Sequence, residues 1–411
     1  MFVVAQLGAR MHYAVPRILH NAGLLESFYT DLVSAKGWPK LVSRLAATGS
    51  RAGAARRMVA RAPDGMPPGM ITHWPAFGME YFFRRRRAIS QGETTAVNLW
   101  AGREFCRRIV KRGLGNATSV YTFNSAGLEL LVHARDRGVF RVMEQTIAPA
   151  EVEDELLAAE ESDFPGWEED RGRDSYRREF QERERAEWAS ADIIVCGSEF
   201  VREGIRNCGG PADRCRVASY GFSANQRLES THSAGQTLRV LTIGTVNLRK
   251  GAPYVLGAAK SLGGAAQFRM VGPISVTLGA LQKIAEHVEV VGPVPRPEVA
   301  QHYAWADVFL LPSICEGSAT VCYEALAAGL PVITTPNAGS VVRDGIEGFI
   351  IPIRDSDAIA DRLDRLISDP GLLAEMSQNA HLRAQEFTVQ KYGERLLAAT
   401  DTATAVRNTH R

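Results

Sequence analysis

The stretch of sequence that decides the fold is residues 308–333, VFLLPSICEGSATVCYEALAAGLPVI. Its first apolar run predicts a buried strand over 308–312, and the residues that follow predict a helix over 320–328. A second apolar run predicts another strand over 331–335. Strands that alternate with helices are typical of parallel sheets with helical crossovers. This stretch therefore predicts an α/β fold.

The same alternation extends through most of the chain. Further strands are predicted over 2–5, 119–123, 139–143, 192–196, 238–244, 268–272 and 288–292. Further helices are predicted over 15–22, 126–137, 176–188, 199–207, 254–262, 297–305, 357–368, 371–387 and 389–399. Ser198 is expected to cap the helix that follows it. Residues 46–80, rich in glycine, proline and arginine, predict a poorly ordered insert or an irregular lobe.

A polar segment of small residues over 223–235 predicts a linker between two domains. We therefore expect an N-terminal domain over 1–225 and a C-terminal domain over 236–385. A final segment, 386–411, is expected to contribute a last helix.

Composition excludes several classes of protein. The chain has 411 residues, 45% hydrophobic and 23% charged, which excludes a disordered chain. Its six cysteines form no CxxC pair, so a zinc ribbon is not expected, and unbridged cysteines favour a reducing, cytoplasmic compartment. The longest uncharged run, 325–342, contains helix-breaking residues and does not predict a bilayer span. The N-terminal residues predict a strand and not a signal peptide.

Charge is unevenly distributed along the chain. Residues 36–87 carry many lysines and arginines but only two acids, Asp64 and Glu80. Such a segment can contact lipid headgroups at the cytoplasmic face of a membrane, another anionic surface or a charged polymer, or it can form a solvated face with no partner. Both interpretations remain open, and no nucleic-acid partner is expected.

The residues around Glu316 predict a ligand site. The predicted strand delivers this carboxylate to its carboxyl end, where open α/β sheets bind ligands. Small residues then allow a ligand to approach the backbone, and the N–H groups at the start of the next helix favour a phosphate. Glu324, on the same face as Thr320, can accept hydrogen bonds from hydroxyl groups. The alternative is a capped helix with surface glutamates.

The whole string resembles the E-x7-E element of retaining GT-B glycosyltransferases of the family-four type, the glycosyl transferases group 1. The resemblance implies two Rossmann-like domains that face each other across a cleft. It also implies that the last helix, 389–399, crosses back and packs on the N-terminal domain. It implies that Glu316 contacts the donor hexose near its reacting carbon and that Glu324 holds the ribose. The diphosphate would be received by the backbone of Gly317, Ser318, Ala319, Thr320 and Val321.

Two more segments of the C-terminal half are similar to this family. Residues 244–251 look like the family's element that begins with Gly244 and ends in a lysine and a glycine, so Lys250 is expected beside the diphosphate. Thr245 stands where the family has an arginine, and Arg249 is expected to supply that cation. The alternative is a helix start with two solvated cations.

After the predicted strand over 288–292, the backbone of Pro293 and Val294 would contact the nucleotide base in the related enzymes. An ordinary loop accounts for these two residues nearly as well.

The N-terminal half departs further from the family. The loop after the first strand has a single glycine, Gly8, and His12 follows it. The central strand leads to Glu144 and Gln145 where many members have a histidine. We assign these four residues to the acceptor side. The sequence Asp355-Ser356-Asp357 spells a D-x-D motif, but it precedes a predicted helix, so capping explains it better than a metal.

The sequence thus predicts a retaining glycosyltransferase that moves a hexose from a nucleotide-diphosphate sugar to a glycan or a lipid-linked acceptor. No metal and no cofactor are expected, because Arg249, Lys250 and the helix start would stabilise the departing diphosphate. Retention is implied only by the resemblance. Two alternatives remain, a nucleotide-sugar epimerase of the same fold and a non-catalytic nucleotide-sugar-binding protein.

Overall fold

The computed structural model describes residues 1–34, 61–170, 172–222 and 237–401. In these residues two parallel β-sheets, one of seven strands and one of six, are flanked by helices. The predicted α/β class is confirmed. The predicted linker, 223–235, lies outside the described residues.

The first sheet is built from the N-terminal half. Its strands are β1 Phe2–Gln6, β2 Leu25–Thr30, β3 Ile71–His73, β4 Ser119–Phe123, β5 Phe140–Gln145, β6 Ile193–Cys196 and β7 Cys215–Val217. They lie in the order β3-β2-β1-β4-β5-β6-β7. Its helices are α1 Ala14–Asn21, α2 Pro75–Arg87, α3 Gln91–Arg112, α4 Leu128–Arg135, α5 Ala150–Asp163, α6 Arg177–Ser190 and α7 Glu199–Asn207.

The second sheet is built from the C-terminal half. Its strands are β8 Leu238–Ile243, β9 Ala266–Val271, β10 Val288–Gly292, β11 Val308–Leu311, β12 Val332–Thr334 and β13 Gly348–Ile350. They lie in the order β10-β9-β8-β11-β12-β13. Its helices are α8 Ala252–Leu262, α9 Leu278–Ala285, α10 Arg296–Trp305, α11 Thr320–Ala327, α12 Ser356–Ser368, α13 Pro370–Gln385 and α14 Val389–Ala399.

The central strands are apolar because helices cover both of their faces. All residues of β1, β4 and β11 are buried, as expected of a parallel sheet. The strand order reverses between β1 and β4 in the first sheet, and between β8 and β11 in the second, so each sheet has a topological switch point there. Ligands of open α/β sheets bind at the carboxyl ends of the strands at such points.

The last helix returns to the first domain. On α14, Gly393 packs against Ile18 of α1, and Tyr392 stacks edge-on against Tyr220, with ring centroids 5.6 Å apart. The guanidinium of Arg395 donates to the carbonyl oxygens of Ser219 and Tyr220 at 3.1 and 3.2 Å. The chain therefore links the two domains a second time.

The predicted irregular lobe over 46–80 is wrong for residues 71–80, whereas residues 61–70 do form turns and a short 3-10 helix. Residues 46–60 lie outside the described residues, but Ile71–His73 forms the edge strand β3, and α2 begins at Pro75. The N–H group at the first position of a helix has no partner within the helix, so a proline there costs no hydrogen bond. Its fixed φ also suits the helix, so Pro75 can begin α2. The prediction treated the prolines of this region only as breakers.

Candidate functional site

The candidate site lies between the carboxyl ends of the two sheets. From the second sheet, the segment after β8 carries Lys250 and the segment after β11 carries Glu316. These two strands are neighbours at the point where the strand order reverses. From the first sheet, the segments after β1 and β5 face them. Two predicted site residues that lie far apart in the sequence therefore meet in one place.

Lys250 and Glu316 form an ion pair. The Nζ atom of Lys250 lies 2.6 Å from the Oε1 atom of Glu316. The two side chains are mostly buried, with 18% and 11% of their surface exposed. A carboxylate and an ammonium group held together in a partly desolvated cleft interact more strongly than they would in water. The structure thus brings together two of the predicted catalytic residues, and the third, Arg249, lies beside them.

The turn before α8 fixes the position of Lys250. The backbone N–H of Lys250 donates to the Oδ1 atom of Asn247 at 3.0 Å. Gly251 has φ +74°, and a Cβ atom there would lie 2.2 Å from the carbonyl oxygen of Pro312. Only glycine fits this close contact between the two segments. At Gly244 a Cβ atom would lie 3.2 Å from the Cε atom of Lys250, so this glycine leaves room for the lysine stem.

Arg249 lies on the other side of Glu316. One guanidinium nitrogen is 3.5 Å from the Oε2 atom of Glu316, and another is 3.7 Å from the Oε1 atom of Glu153 on α5. The Nε–H group donates to the carbonyl oxygen of Cys315 at 2.8 Å. Arg249 is therefore part of the site, but two carboxylates and a carbonyl share its charge.

The helix that follows Glu316 begins without a side-chain cap. Ala319 is the N-cap residue of α11 and makes no capping hydrogen bond through its side chain. The first N–H groups of the helix, at the exposed Thr320 and the half-buried Val321, are thus available to an anion. The hydroxyl of Ser318 is already paired with the hydroxyl of Tyr323 at 2.9 Å and the carbonyl oxygen of Gly339 at 3.1 Å.

Gly317 is close to the first domain. A Cβ atom on Gly317 would lie 2.1 Å from the carbonyl oxygen of Thr146 and 2.7 Å from the Cα atom of Ile147. The backbone N–H of Ala148 donates to the carbonyl oxygen of Glu316 at 3.3 Å, and the hydroxyl of Ser198 donates to that of Gly317. The prediction that Gly317 is small to admit a ligand needs correction, because the backbone of the first domain occupies that space.

Glu324 lies one helical turn beyond the helix start. Its Oε2 atom accepts a hydrogen bond from the hydroxyl of Tyr303 at 3.1 Å, and its Oε1 atom is 3.5 Å from the guanidinium of Arg296. Burial raises the pKa of Glu324, and the charge of Arg296 opposes that shift. The carboxylate retains acceptor capacity at the edge of the cleft, because each oxygen has two lone pairs.

Four other predicted donor residues border the same cleft. Gly244 and Thr245 follow β8 directly and are partly exposed. Pro293 and Val294 follow β10, where the N–H of Gly272 donates to the carbonyl oxygen of Gly292 at 3.0 Å. Their backbone therefore lies at the same sheet edge as Lys250, two strands away.

On the first domain, Gly8 and His12 line the loop after β1. The N–H of Gly8 donates to the Oδ1 atom of Asp31 at 3.0 Å. Met11, His12 and Tyr13 all have positive φ, between 47° and 60°, a backbone conformation that costs free energy and is common in functional loops. Partial burial, followed by the charge of Arg296 on the second domain, lowers the pKa of His12. His12 therefore lies where the two domains face each other.

Glu144 and Gln145 are a different case, because both side chains are buried. Glu144 accepts hydrogen bonds from the hydroxyls of Tyr121 and Tyr220, and burial raises its pKa. Gln145 donates to Glu184 at 2.7 Å and accepts from the indole N–H of Trp188 at 3.0 Å. The structure thus does not support the prediction that these two residues face an acceptor, because their polar atoms are used inside the domain.

Asp355 caps a helix, as predicted. Its Oδ1 atom accepts a hydrogen bond from the N–H of Ala358 at 2.7 Å, at the start of α12. Ser198 likewise caps α7 by accepting from the N–H of Val201 at 3.3 Å.

Within the described residues, no group of three or more His, Cys, Asp or Glu side chains could hold a metal ion. No helix in that part of the chain is both long and apolar enough to cross a bilayer.

Comparison with known proteins supports the interpretation of the second sheet. Residues 237–369 match the family described as Glycosyl transferases group 1. These residues contain Lys250, Glu316 and Glu324 together with the sheet that positions them. The C-terminal domain is a group 1 glycosyltransferase domain. The predicted family is thereby confirmed for residues 237–369, about a third of the chain.

Curated relatives of this glycosyltransferase domain were found in several bacteria. The amylovoran biosynthesis glycosyltransferase AmsK of Erwinia amylovora is 26% identical over 216 residues, 47% of this chain and 53% of that protein. The D-inositol 3-phosphate glycosyltransferase of Kribbella flavida is 37% identical over 116 residues, 28% of this chain and 27% of that protein. The chain therefore spans about half or less of the length of these curated relatives.

Solved structures share the fold over the whole chain. Sucrose-phosphate synthase from Thermosynechococcus elongatus superposes with a TM-score of 0.63 at 15% identity, over 98% of this chain and 99% of that chain. HepE from Anabaena, in complex with UDP, superposes with a TM-score of 0.59 at 15% identity, over 97% and 98%. The predicted GT-B architecture, a glycosyltransferase domain facing a second Rossmann-like domain, is confirmed.

Sequence reasoning missed several residues that hold the site of the glycosyltransferase domain together. Asn247 orients the turn at Lys250, and Tyr303 pairs with Glu324. The segment 146–148 reaches this domain from the other sheet. An asparagine three residues before a lysine at a helix start predicts a turn of this kind, so Asn247 could have been found. The contacts of Tyr303 and of segment 146–148 depend on tertiary structure alone.

Proposed function

We propose that the chain is a retaining glycosyltransferase that moves a hexose from a nucleotide-diphosphate sugar to a glycan or a lipid-linked acceptor without a metal ion. The observation that carries this proposal is the 2.6 Å pair of Lys250 and Glu316 beside the uncapped start of α11. It combines a cation, a carboxylate and free N–H groups at the switch point of a glycosyltransferase domain.

The donor is proposed to lie on the second domain. Its diphosphate would contact Lys250 and the N–H groups at the start of α11, where the helix dipole favours an anion. Arg249 would add a second cation from the other side of Glu316. The hydroxyls of the ribose would donate to Glu324, and the base would rest on the backbone at Pro293 and Val294. HepE, a structural relative, has been crystallised with UDP-glucose.

The reaction we propose conserves the configuration of the reacting carbon. The bond between the sugar carbon and the diphosphate oxygen breaks, and the acceptor oxygen bonds to the same face of that carbon. The proton of the acceptor hydroxyl passes to the departing phosphate oxygen. Lys250, Arg249 and the helix start stabilise the charge that grows on the diphosphate, usually the largest contribution to such a rate enhancement. Glu316 lies beside the reacting carbon.

The acceptor is proposed to enter from the first domain, between Gly8 and His12. The names of two relatives support a glycan or lipid-linked acceptor, since one acts in amylovoran biosynthesis and another is a phosphatidylinositol monomannoside mannosyltransferase. We propose that the reaction takes place in the cytoplasm, at the inner face of a membrane.

A thermal-shift screen of UDP-, GDP- and ADP-hexoses tests the donor site. A donor at 100 times its Kd stabilises the folded state by about 2.7 kcal/mol and raises the Tm accordingly. The shift is expected to be lost in Lys250→Ala and kept in Lys260→Ala, which changes an exposed lysine on α8. EDTA should leave it unchanged. If no nucleotide sugar raises the Tm, or if Lys250→Ala keeps the full shift, the proposed donor site is wrong.

The same donor then tests the reaction. Incubation with a lipid extract or with oligosaccharides should yield a glycosylated product whose new bond has the anomeric configuration of the donor, measured by NMR. A 2-epimer of the sugar would instead indicate an epimerase. Tight binding without turnover, for any acceptor, would indicate a binding protein.

A further inference from the structure

Helix α2 presents an unusual outer face. Met79, Phe82, Phe83 and Arg86 are spaced i, i+3, i+4 and i+7, so they share one side of the helix. Phe82 and Phe83 are 42% and 49% exposed, and their rings pack edge to face with centroids 5.5 Å apart. Phe77, on the opposite side, is 1% exposed and packs into the domain. The helix therefore has a core face of its own and does not need Phe82 or Phe83 for folding.

The same helix ends in four arginines. Arg84 has structural partners, because it donates to Glu80 at 2.7 Å and its guanidinium lies 4.2 Å from the ring centroid of Trp100. Arg85, Arg86 and Arg87 are exposed, and none pairs with a carboxylate in the described part of the chain. The helix dipole favours cations at this end but does not require three of them.

Ile89 extends the apolar surface beyond the end of the helix. It is 91% exposed, although it directly precedes Ser90, the N-cap of α3. An apolar residue at this position commonly packs against the fourth residue of the helix, but that residue is Thr94. Ile89 is thus a fully exposed apolar side chain next to three arginines without acidic partners.

We propose that Phe82, Phe83 and Ile89, together with Arg85, Arg86 and Arg87, form a surface that docks on an anionic lipid bilayer. We call this surface the aromatic–arginine patch. Anionic headgroups complement the three arginines, and aromatic side chains favour the interface between headgroups and acyl chains. The patch lies at the periphery of the first domain, because α2 directly follows β3, the edge strand of its sheet.

The charges favour a bilayer over a second copy of this chain. A symmetric dimer through the patch would bring the arginines of both copies together, and like charges at an interface repel. A bilayer offers the opposite charge and an apolar layer at once. The proposal is independent of the proposed transferase reaction, since a lipid-docking surface is tested without any sugar.

Flotation of the full chain with vesicles tests the patch. The protein should float with vesicles of phosphatidylcholine and phosphatidylglycerol, but much less with phosphatidylcholine alone, and binding should weaken in high salt. Replacing Arg85, Arg86 and Arg87 with glutamine should lower the partition coefficient at least tenfold, since each arginine near an anionic surface contributes roughly fivefold. Phe82→Ser with Phe83→Ser should also lower it at least tenfold.

Matched controls change exposed residues elsewhere. Leu278→Ser removes an apolar side chain that is 70% exposed on the second domain. Glutamine at Arg107, Arg135 and Arg178 removes three exposed charges from other helices of the first domain. Neither control should change flotation by more than about twofold, and all variants should keep the wild-type Tm.

Three outcomes would overturn the proposal. The first is wild-type protein that does not float with anionic vesicles. The second is flotation that the arginine triple variant and the phenylalanine double variant both leave unchanged. The third is a dimer, seen by analytical ultracentrifugation, that Phe82→Ser with Phe83→Ser dissolves, because the face would then be covered by a second copy. A Phe82→Trp variant whose fluorescence shifts to the blue with anionic vesicles would support insertion of this side chain.

Discussion

Gly317 and Thr146 meet backbone to backbone across the cleft, so closely that a Cβ atom on Gly317 would lie 2.1 Å from the carbonyl oxygen of Thr146. Gly317 belongs to the segment proposed to hold the diphosphate, and Thr146 follows β5 of the other domain. The hydroxyl of Thr146 in turn accepts a hydrogen bond from Arg10 at 2.6 Å. The donor segment and the proposed acceptor domain are thus in direct contact next to Glu316.

Gly317→Ala is therefore expected to force the two domains apart locally. The added methyl group must displace backbone, not a flexible side chain, and such overpacking costs about 1–3 kcal/mol of folding free energy. Denaturant unfolding measures this cost. The control is Gly279→Ala on α9, where a Cβ atom meets nothing within 4 Å, so the helix should be stabilised by up to about 1 kcal/mol. Equal stability of both variants would contradict the contact.

Lys250 and Glu316 should separate donor binding from turnover. Lys250→Ala removes the cation proposed to contact the diphosphate and should weaken UDP or GDP binding about 10- to 100-fold, the usual size of a charged hydrogen bond. Glu316→Gln removes the carboxylate that pairs with Lys250 but keeps the lysine, so nucleotide binding should stay within about threefold of the wild type. Transfer should fall at least 100-fold, because the carboxylate beside the reacting carbon is lost. Isothermal titration and a transfer assay measure the two effects. If Glu316→Gln weakens binding as much as Lys250→Ala, Glu316 acts only by positioning the lysine.

Glu324 should matter only when the nucleotide carries ribose hydroxyls. Glu324→Gln is expected to weaken the binding of a ribonucleotide at least tenfold, because a charged acceptor is lost. With the 2′,3′-dideoxy analogue the variant and the wild type should bind alike, so the double-mutant cycle shows coupling between the carboxylate and the hydroxyls. Glu298→Gln, at an exposed position of α10, is the control. Additive effects would contradict the proposed ribose contact.

Glu144 should make stability depend on pH. Burial raises its folded-state pKa above the ordinary value of 4.5. A raised carboxyl pKa stabilises the folded state below the ordinary pKa, and this contribution is lost as pH rises through the folded-state value. The free energy of unfolding should therefore fall as pH rises above the ordinary pKa of 4.5, and it should fall by less in Glu144→Gln than in the wild type. Urea titrations across this range measure the difference, and parallel curves would show that Glu144 is not the titrating group.

The sequence predicted the second domain well because its signals are local. The central strand β11, Val308–Leu311, is a continuous apolar run, and β10 and α14 were predicted with the bounds observed, Val288–Gly292 and Val389–Ala399. Strand β13 and helix α9 of this domain were not predicted. The residues that form the donor site stand next to these strands. When a site residue directly follows a predicted strand, its place at the carboxyl end of the sheet can be inferred from that strand alone.

The first domain was harder to predict for two physical reasons. Its edge strand Ile71–His73 has only three residues, too few to show a periodicity. Its helices Gln91–Arg112 and Ala150–Asp163 are largely polar on the surface and were not predicted, although Ser90 and Glu93 form a capping box that announces the first of them. The burial of Glu144 and Gln145 depends on Tyr220 and Trp188, which come from elsewhere in the chain and cannot be paired with them by spacing.

The return of α14 to the first domain bears on how the two halves stay joined. The first sheet ends with β7 at Val217 and the second begins with β8 at Leu238. The chain then returns in α14, where Arg395 donates to the carbonyl oxygens of Ser219 and Tyr220. If the backbone were cut between residues 222 and 237, the contacts of α14 with the first domain would still hold the two fragments together. Without residues 389–399, the two domains would be joined by one chain connection and by the contacts across the cleft, such as those of Ser198 and Ala148 with the backbone of residues 316 and 317.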